Sequence, residues 1–194
     1  MSVLPGFADA PRDAQRVFRL VLDAMARPGR VVEIGLAQAP EGLSLAAAAL
    51  LLTLADSDTP VWLDAASAGA ASWLRFHCGC PLTAEPAAAR FAYCRDPARL
   101  PPLESFALGT DEYPDRSTTL IVQVDSLKHG SAFELRGPGI DGSAVLRAMI
   151  EPVDLFRRLA VNETVFPRGI DVVLVSGDAI VAIPRTTRVS AMGV

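Results

Sequence analysis

Phe166-Pro-Arg-Gly-Ile-Asp-Val-Val-Leu-Val-Ser-Gly-Asp-Ala-Ile-Val-Ala-Ile-Pro-Arg-Thr-Thr-Arg188 contains two runs rich in β-branched residues, Val172 to Val175 and Ile180 to Ile183. Ser176-Gly177-Asp178 separates them and reads as a hairpin loop, with glycine supplying the unusual backbone angle. Neither run alternates between apolar and polar. Strands of that kind are covered on both faces, which predicts a position inside a sheet rather than on its rim. Pro184 has no N–H to give and ends the ladder. Arg185, Thr186, Thr187 and Arg188 follow it. Two fixed positive charges flanking two hydroxyls can hold a phosphate or phosphonate oxygen. The same four residues also make an ordinary solvated turn with salt bridges, so both readings stand at this point.

Working outward, Thr118 to Val124 is the strongest single strand and is expected at the centre of the sheet. Arg30 to Ile34, Val61 to Leu63, Arg90 to Arg95 and Ala132 to Arg136 are further strands. A helix is expected from about Pro11, with Ala14, Val17, Phe18, Val21, Leu22 and Met25 on one stripe, and Arg27-Pro28-Gly29 stops it. Ser44 is a plausible N-cap for a helix from Leu45 to about Ala55 that is apolar all round and therefore buried. Ser67 is a candidate cap for a third helix running through His77. Pro152 opens a fourth, with Val153, Phe156, Leu159 and Ala160 inward, ending near Asn162. Residues 1–10 look like a loose arm, and 140–151 are ambiguous. Helices and strands alternate in the first half and strands dominate the second. The expected fold is α/β, a mixed sheet flanked by helices, in one domain spanning 1–194.

The chain has 194 residues, 51% of them hydrophobic, enough to bury a core. A net charge of −4 without a basic stripe argues against nucleic acid. Of 18 basic residues only Lys128 is not Arg, a bias that a GC-rich genome explains as well as anion recognition does. Cys78, Cys80 and Cys94 are an odd set and suggest a reducing compartment, hence the cytoplasm. No secretory signal is visible, and the apolar run Leu45 to Ala55 is too short to cross a bilayer.

Familiar catalytic sets are missing. There is no P-loop, no Gly-x-Ser-x-Gly elbow and no His-Glu-x-x-His. Two histidines, His77 and His129, cannot build a His-rich metal centre. His77-Cys78-Gly79-Cys80, even with Cys94, has poor spacing for zinc, and no metal is expected. Asp56 and Asp58 fit a helix-end turn better than a cation site. Gly137-Pro138-Gly139 is a turn first; as a phosphate cradle it lacks a lysine and a following helix. A pyridoxal-phosphate enzyme needs a lysine for its Schiff base, and Lys128 sits in a polar turn. No catalytic residue can be named.

Several of these segments, taken together and in order, resemble one family. They are Asp13 to Arg19 with Met25 to Gly29, Leu51 to Leu63, Leu74 to His77, Thr119 to Val124, Phe166 to Asp171 and Ile183 to Thr187. The resemblance is to PhnH, a subunit family of the bacterial carbon–phosphorus lyase system, and it covers nearly the whole chain. It implies a fold similar to that of pyridoxal-phosphate transferases without the cofactor, a homodimer, and a core complex with PhnG, PhnI and PhnJ. That complex displaces adenine from ATP with an alkylphosphonate, giving a ribose 1-phosphonate 5-triphosphate. His77 belongs to the shared pattern, whereas Cys78 and Cys80 do not. Two other readings stay open: an anion-binding site at Arg185, Thr186, Thr187 and Arg188, and a degenerate pyridoxal enzyme using Lys128.

Overall fold

A computed structural model describes residues 4–36, 38–150, 155–159 and 161–192. The expected hairpin is its spine. Strands β8 (Asp171–Ser176) and β9 (Ala179–Ile183) pair antiparallel across Gly177 and Asp178, in register from Ser176↔Ala179 to Val172↔Ile183. Gly177 takes φ +59°, a left-handed angle that a side chain would strain. Val172 through Val175 and Ile180 through Ile183 are all buried, as their unbroken apolar runs require.

Strand β8 then pairs in parallel with β5 (Thr119–Gln123), β5 with β4 (Phe91–Cys94), β4 with β2 (Val61–Leu63) and β2 with β3 (Leu82–Thr83). On the other side a two-residue β1 (Val32–Glu33) closes on β9. The order is β1-β9-β8-β5-β4-β2-β3, a mixed seven-stranded sheet with β5 at its middle.

Three helices cover one face. They are α1 (Ala10–Ala26), α2 (Leu45–Leu54) and α3 (Ala71–Cys78). Asp9 caps α1 by accepting from the Arg12 amide, and Ser44 caps α2 by accepting from Ala47. Val17, Val21, Ala24, Leu50, Leu51, Trp73 and Leu74 pack there on Tyr93, Ile121 and Val173. The opposite face differs from the expected all-helical cover. A three-stranded antiparallel sheet lies on it, ordered β10-β6-β7, from β6 (Ser126–Arg136), β7 (Ala144–Met149) and β10 (Arg188–Ala191). Its Phe133, Leu135, Leu146 and Ala148 meet Leu120, Val122, Leu174 and Val181. The cause is a period of two: Leu146 and Ala148 point inward while Val145 and Met149 are exposed. Phe156 and Leu159 join this core from and just after α4 (Leu155–Arg158), and α5 (Val161–Val165) follows. The expected helix start at Pro152 and Val153, and Ala160, lie outside the described residues.

Two local expectations change. Ser67 does not cap α3: it is buried in a 3-10 turn, Ala65–Ala70, and α3 starts after Ala70 with no side-chain cap. The amino-terminal arm is held from residue 4 onward. Trp73 Nε1 donates to the Leu4 carbonyl at 2.8 Å, and His77 Nε2 sits 2.9 Å from the same oxygen. Acceptance by a carbonyl puts the His77 proton on Nε2. Leu4 and Phe7 pack on the helical core.

Leu174 is fully buried between the sheet and its small-sheet cover. Leu174→Ala should cost roughly 2–5 kcal/mol, the range for a core leucine truncation. Urea unfolding checks it, and a loss below about 1 kcal/mol would mean the two sheets do not pack as described.

Candidate functional site

The segment after β9 was the sequence-based candidate, and the fold gives it a defined shape. Pro184 to Thr187 forms a turn, with the Thr187 amide donating to the Pro184 carbonyl at 2.8 Å. Arg188 then opens β10 opposite Arg136. A cavity of about 380 Å³ lies beside the turn, lined by Pro138, Asn162, Phe166, Arg185, Thr186 and Arg188. Three of the four expected residues therefore meet at one depression. The fourth, Thr187, does not line it; its hydroxyl is buried and finds no hydrogen-bond partner among the described residues.

Arg185 is committed to the fold. Its amide and Nε both donate to Asp171 Oδ1, at 2.8 and 3.2 Å, and one Nη donates to Oδ2 at 2.5 Å. The other Nη donates to the Pro114 carbonyl. Both side chains of the pair are about 15% exposed, so the guanidinium fork is spent on a nearly buried carboxylate. An anion in the cavity would compete with Asp171 for Arg185. Asn162 is likewise occupied: its amide donates to the Ile170 carbonyl and its Oδ1 accepts from the Ile170 N–H, both at 2.9 Å. Gly169, at φ +143°, passes so close that a Cβ there would sit 2.7 Å from Asn162 Oδ1.

This turn also sits at the amino ends of the parallel strands, since β9 runs antiparallel to β8. Ligands of open α/β sheets bind at the opposite, carboxyl ends, where successive connections leave to opposite faces. Such a point lies between β2 and β4. After β2 the chain turns to the helical face, where Trp73 and Leu74 pack. After β4 it turns to the other face, where Leu100, Leu103 and Phe106 pack. Between them is a depression of about 450 Å³ lined by Trp62, Asp64, Ala65, Ala66, Asp96 and Arg99.

Asp64, only 5% exposed, organises this crevice. It accepts from Ser67 Oγ at 2.5 Å and from the amides of Arg95 and Asp96, each at 2.8 Å. The carboxylate thus ties the end of β2 to the end of β4. Trp62 packs edge-on against Phe106, with ring centroids 5.6 Å apart. Asp64 was not among the sequence candidates. Its signal was present: an aspartate directly after a short strand in an α/β chain. Tyr93 and Gln123, on adjacent strands, share a 3.1 Å hydrogen bond, and burial pushes the Tyr93 phenol up to about 12.

The remaining candidates are placed simply. Asp56 Oδ1 accepts from the Asp58 amide and the Thr59 hydroxyl, a local turn. Lys128 is exposed at the start of β6, where Ser126 Oγ accepts from its amide. Among the described residues no group of three or more His, Cys, Asp or Glu is gathered as a metal site. None of the described helices is long and apolar enough to cross a membrane.

A doubly covered mixed sheet with a carboxyl-end crevice defines an α/β protein; comparison with known proteins is more specific. Residues 5–190 match the model of a family described as bacterial phosphonate metabolism protein (PhnH). A Rhizobium meliloti (strain 1021) protein named alpha-D-ribose 1-methylphosphonate 5-triphosphate synthase subunit PhnH is 45% identical over 186 residues, covering 94% of this chain and 92% of the relative. A Stutzerimonas stutzeri protein named putative C-P lyase subunit protein HtxG is 34% identical over 186 residues, covering 95% and 89%. The likeness spans both sheets and all the helices rather than one motif. The chain belongs to the PhnH family of bacterial phosphonate metabolism proteins.

Asp64→Ala would leave the Ser67 hydroxyl and two backbone amides without their acceptor. Each buried donor so orphaned costs about 1–3 kcal/mol, so a loss of at least about 2 kcal/mol is expected in a chemical unfolding titration. Asp64→Asn, which keeps one acceptor oxygen, should lose less. Equal stability of wild type and Asp64→Ala would remove Asp64 from its organising role.

Proposed function

We propose that this chain is a subunit of the assembly that converts ATP and an alkylphosphonate into ribose 1-phosphonate 5-triphosphate and adenine. Its partners in this reading are PhnG, PhnI and PhnJ, and the chain itself pairs as a homodimer in the cytoplasm. The observation that carries the proposal is full-length similarity to two proteins whose names both call them subunits. The structure supports it with exposed apolar side chains suited to contact with other chains. Phe18 and Leu22 lie one turn apart on α1 at 45% and 52% exposure, and Phe76 on α3 is 67% exposed. Three unpaired cysteines fit a reducing compartment. The PhnH resemblance is the basis for proposing a fold of the pyridoxal-phosphate-transferase type, with which a mixed sheet in an α/β chain is compatible. Lys128, exposed on β6, does not offer the dry environment that a Schiff-base lysine uses.

The catalytic groups in this reading belong to the assembly, and the present chain contributes structure and docking surface. The test is direct. Purified chain incubated with ATP and methylphosphonate should release no adenine above a protein-free control. Sustained release by the isolated chain would overturn the subunit reading.

A second reading is that the cavity beside Thr186 and Arg188 holds a phosphonate or a nucleotide phosphate as part of a shared site. The convergence of Arg185, Thr186 and Arg188 on one depression motivates it. Calorimetric titration of the chain with ATP and with methylphosphonate, wild type against Arg188→Ala, decides it. Binding at least tenfold weaker in the variant supports the site, while equal heats for both proteins eliminate it. Arg188 is the better probe because replacing Arg185 would also strip Asp171 of its partner.

A further inference from the structure

The crevice between β2 and β4 holds hydrogen-bonding capacity that the fold itself leaves unused. Trp62 forms one of its walls and is nine-tenths buried. Edge contact with Phe106 fixes the ring. The chain has one other tryptophan, Trp73, whose indole N–H donates to the Leu4 carbonyl. The Trp62 indole N–H finds no such acceptor among the described residues. Nor is its nitrogen one of the described polar atoms sealed in the interior without a partner. It is therefore a donor fixed in place and open to the crevice that its ring lines. A mostly buried indole usually gives its N–H to a partner.

An acceptor stands at the same depression. Asp64 spends Oδ1 on the Ser67 hydroxyl and Oδ2 on the amides of Arg95 and Asp96. A carboxylate has about four lone-pair positions, so one on Oδ1 is left. The rim carries Asp96 and the exposed Arg99, whose Nε lies 3.3 Å from Asp96 Oδ2. Ala65 and Ala66 add only methyl groups, and the space of about 450 Å³ stays open. That is within the usual size of a small-molecule site, and such sites pair apolar walls with a few placed polar groups.

Simple ligands leave part of this set unmet. An anion would satisfy Trp62 and Arg99 but face two carboxylates. A lone ammonium would satisfy the carboxylates and leave the indole N–H bare. Among the described residues no third metal-ligating side chain joins Asp64 and Asp96. What fits is a flat ring bearing an N–H donor beside a ring-nitrogen acceptor. We propose that the crevice binds an amino-substituted nucleobase, of the adenine or cytosine type, with its glycosidic side toward the rim. The exocyclic amine donates to Asp64, and the adjacent ring nitrogen accepts from Trp62. Protein pockets read nucleobases by such contacts to the Watson–Crick edge. This role goes beyond the structural and docking contribution proposed above, and it holds whether or not the chain works within that assembly.

A proton–nitrogen correlation spectrum of the native chain tests this at the atom concerned. It should show two indole N–H signals, one for each tryptophan. The Trp62 signal is the one missing from Trp62→Phe protein or, by elimination, the one kept in Trp73→Phe protein. Adenosine and cytidine are titrated separately. At least one should shift the Trp62 signal saturably while leaving that of Trp73 unmoved, and the tighter binder names the ring. Purine riboside keeps the ring nitrogens of adenosine and lacks the amine. Where adenosine is the ligand, purine riboside should bind at least about tenfold more weakly, because its loss leaves a carboxylate contact unmade. Where cytidine is the ligand, dimethylation of its amine should weaken binding by the same factor. A Trp62 signal unmoved by both nucleosides, or binding that is indifferent to loss of the amine protons, would overturn the proposal.

Discussion

Strands β5, β8 and β9 are buried on both faces, and the rest of the molecule answers that demand. A strand of Val-Val-Leu-Val or Ile-Val-Ala-Ile has no polar side to show to water. Each of its faces needs an apolar cover, and the chain supplies two of different kinds. Helices α1, α2 and α3 cover one face, and α2 is so nearly all alanine and leucine that it can only be an inner helix. The β10-β6-β7 sheet covers the other. Burial on this scale drives the fold because each buried leucine or valine contributes about 1.5–3 kcal/mol relative to exposure.

Much of this was legible in the residues because the central strands and α2 carry unambiguous patterns. Ser44 before an apolar decamer announced a cap, and the structure gives it the Ala47 amide. Thr118 to Val124 announced a central strand, and β5 within it lies fourth of seven. The second sheet was not legible. Residues 144–149, Ala-Val-Leu-Arg-Ala-Met, break their apolar run only at Arg147, a weak signal until Phe133 and Leu135 are placed opposite. Ser67 misled for a similar reason: a serine before a helix reads as a cap, but here its hydroxyl is consumed by buried Asp64. The arm looked loose because nothing local holds it; its anchors, Trp73 and His77, are some seventy residues away.

The site shows the same division. Sequence reading found a cluster of arginines and threonines but not what they were for. Asp171 lies 14 residues before Arg185, and only the hairpin brings the two together. Once paired, Arg185 is a brace between the start of β8, the turn after β9 and the Pro114 loop. The carboxyl-end crevice around Asp64 depends on topology alone, on connections that leave β2 and β4 toward opposite cores. No local motif encodes that.

A chain organised in this way keeps its strongest polar groups busy inside itself. Asp64, Arg185, Asn162 and His77 each hold backbone in place. The apolar residues on α1 and α3 remain outward. The account therefore turns on association. Native mass spectrometry of the chain co-expressed with PhnG, PhnI and PhnJ tests it most directly. One stoichiometric complex containing all four proteins is the predicted spectrum. A complex of the other three that excludes this chain and still makes the triphosphate at full rate would contradict it.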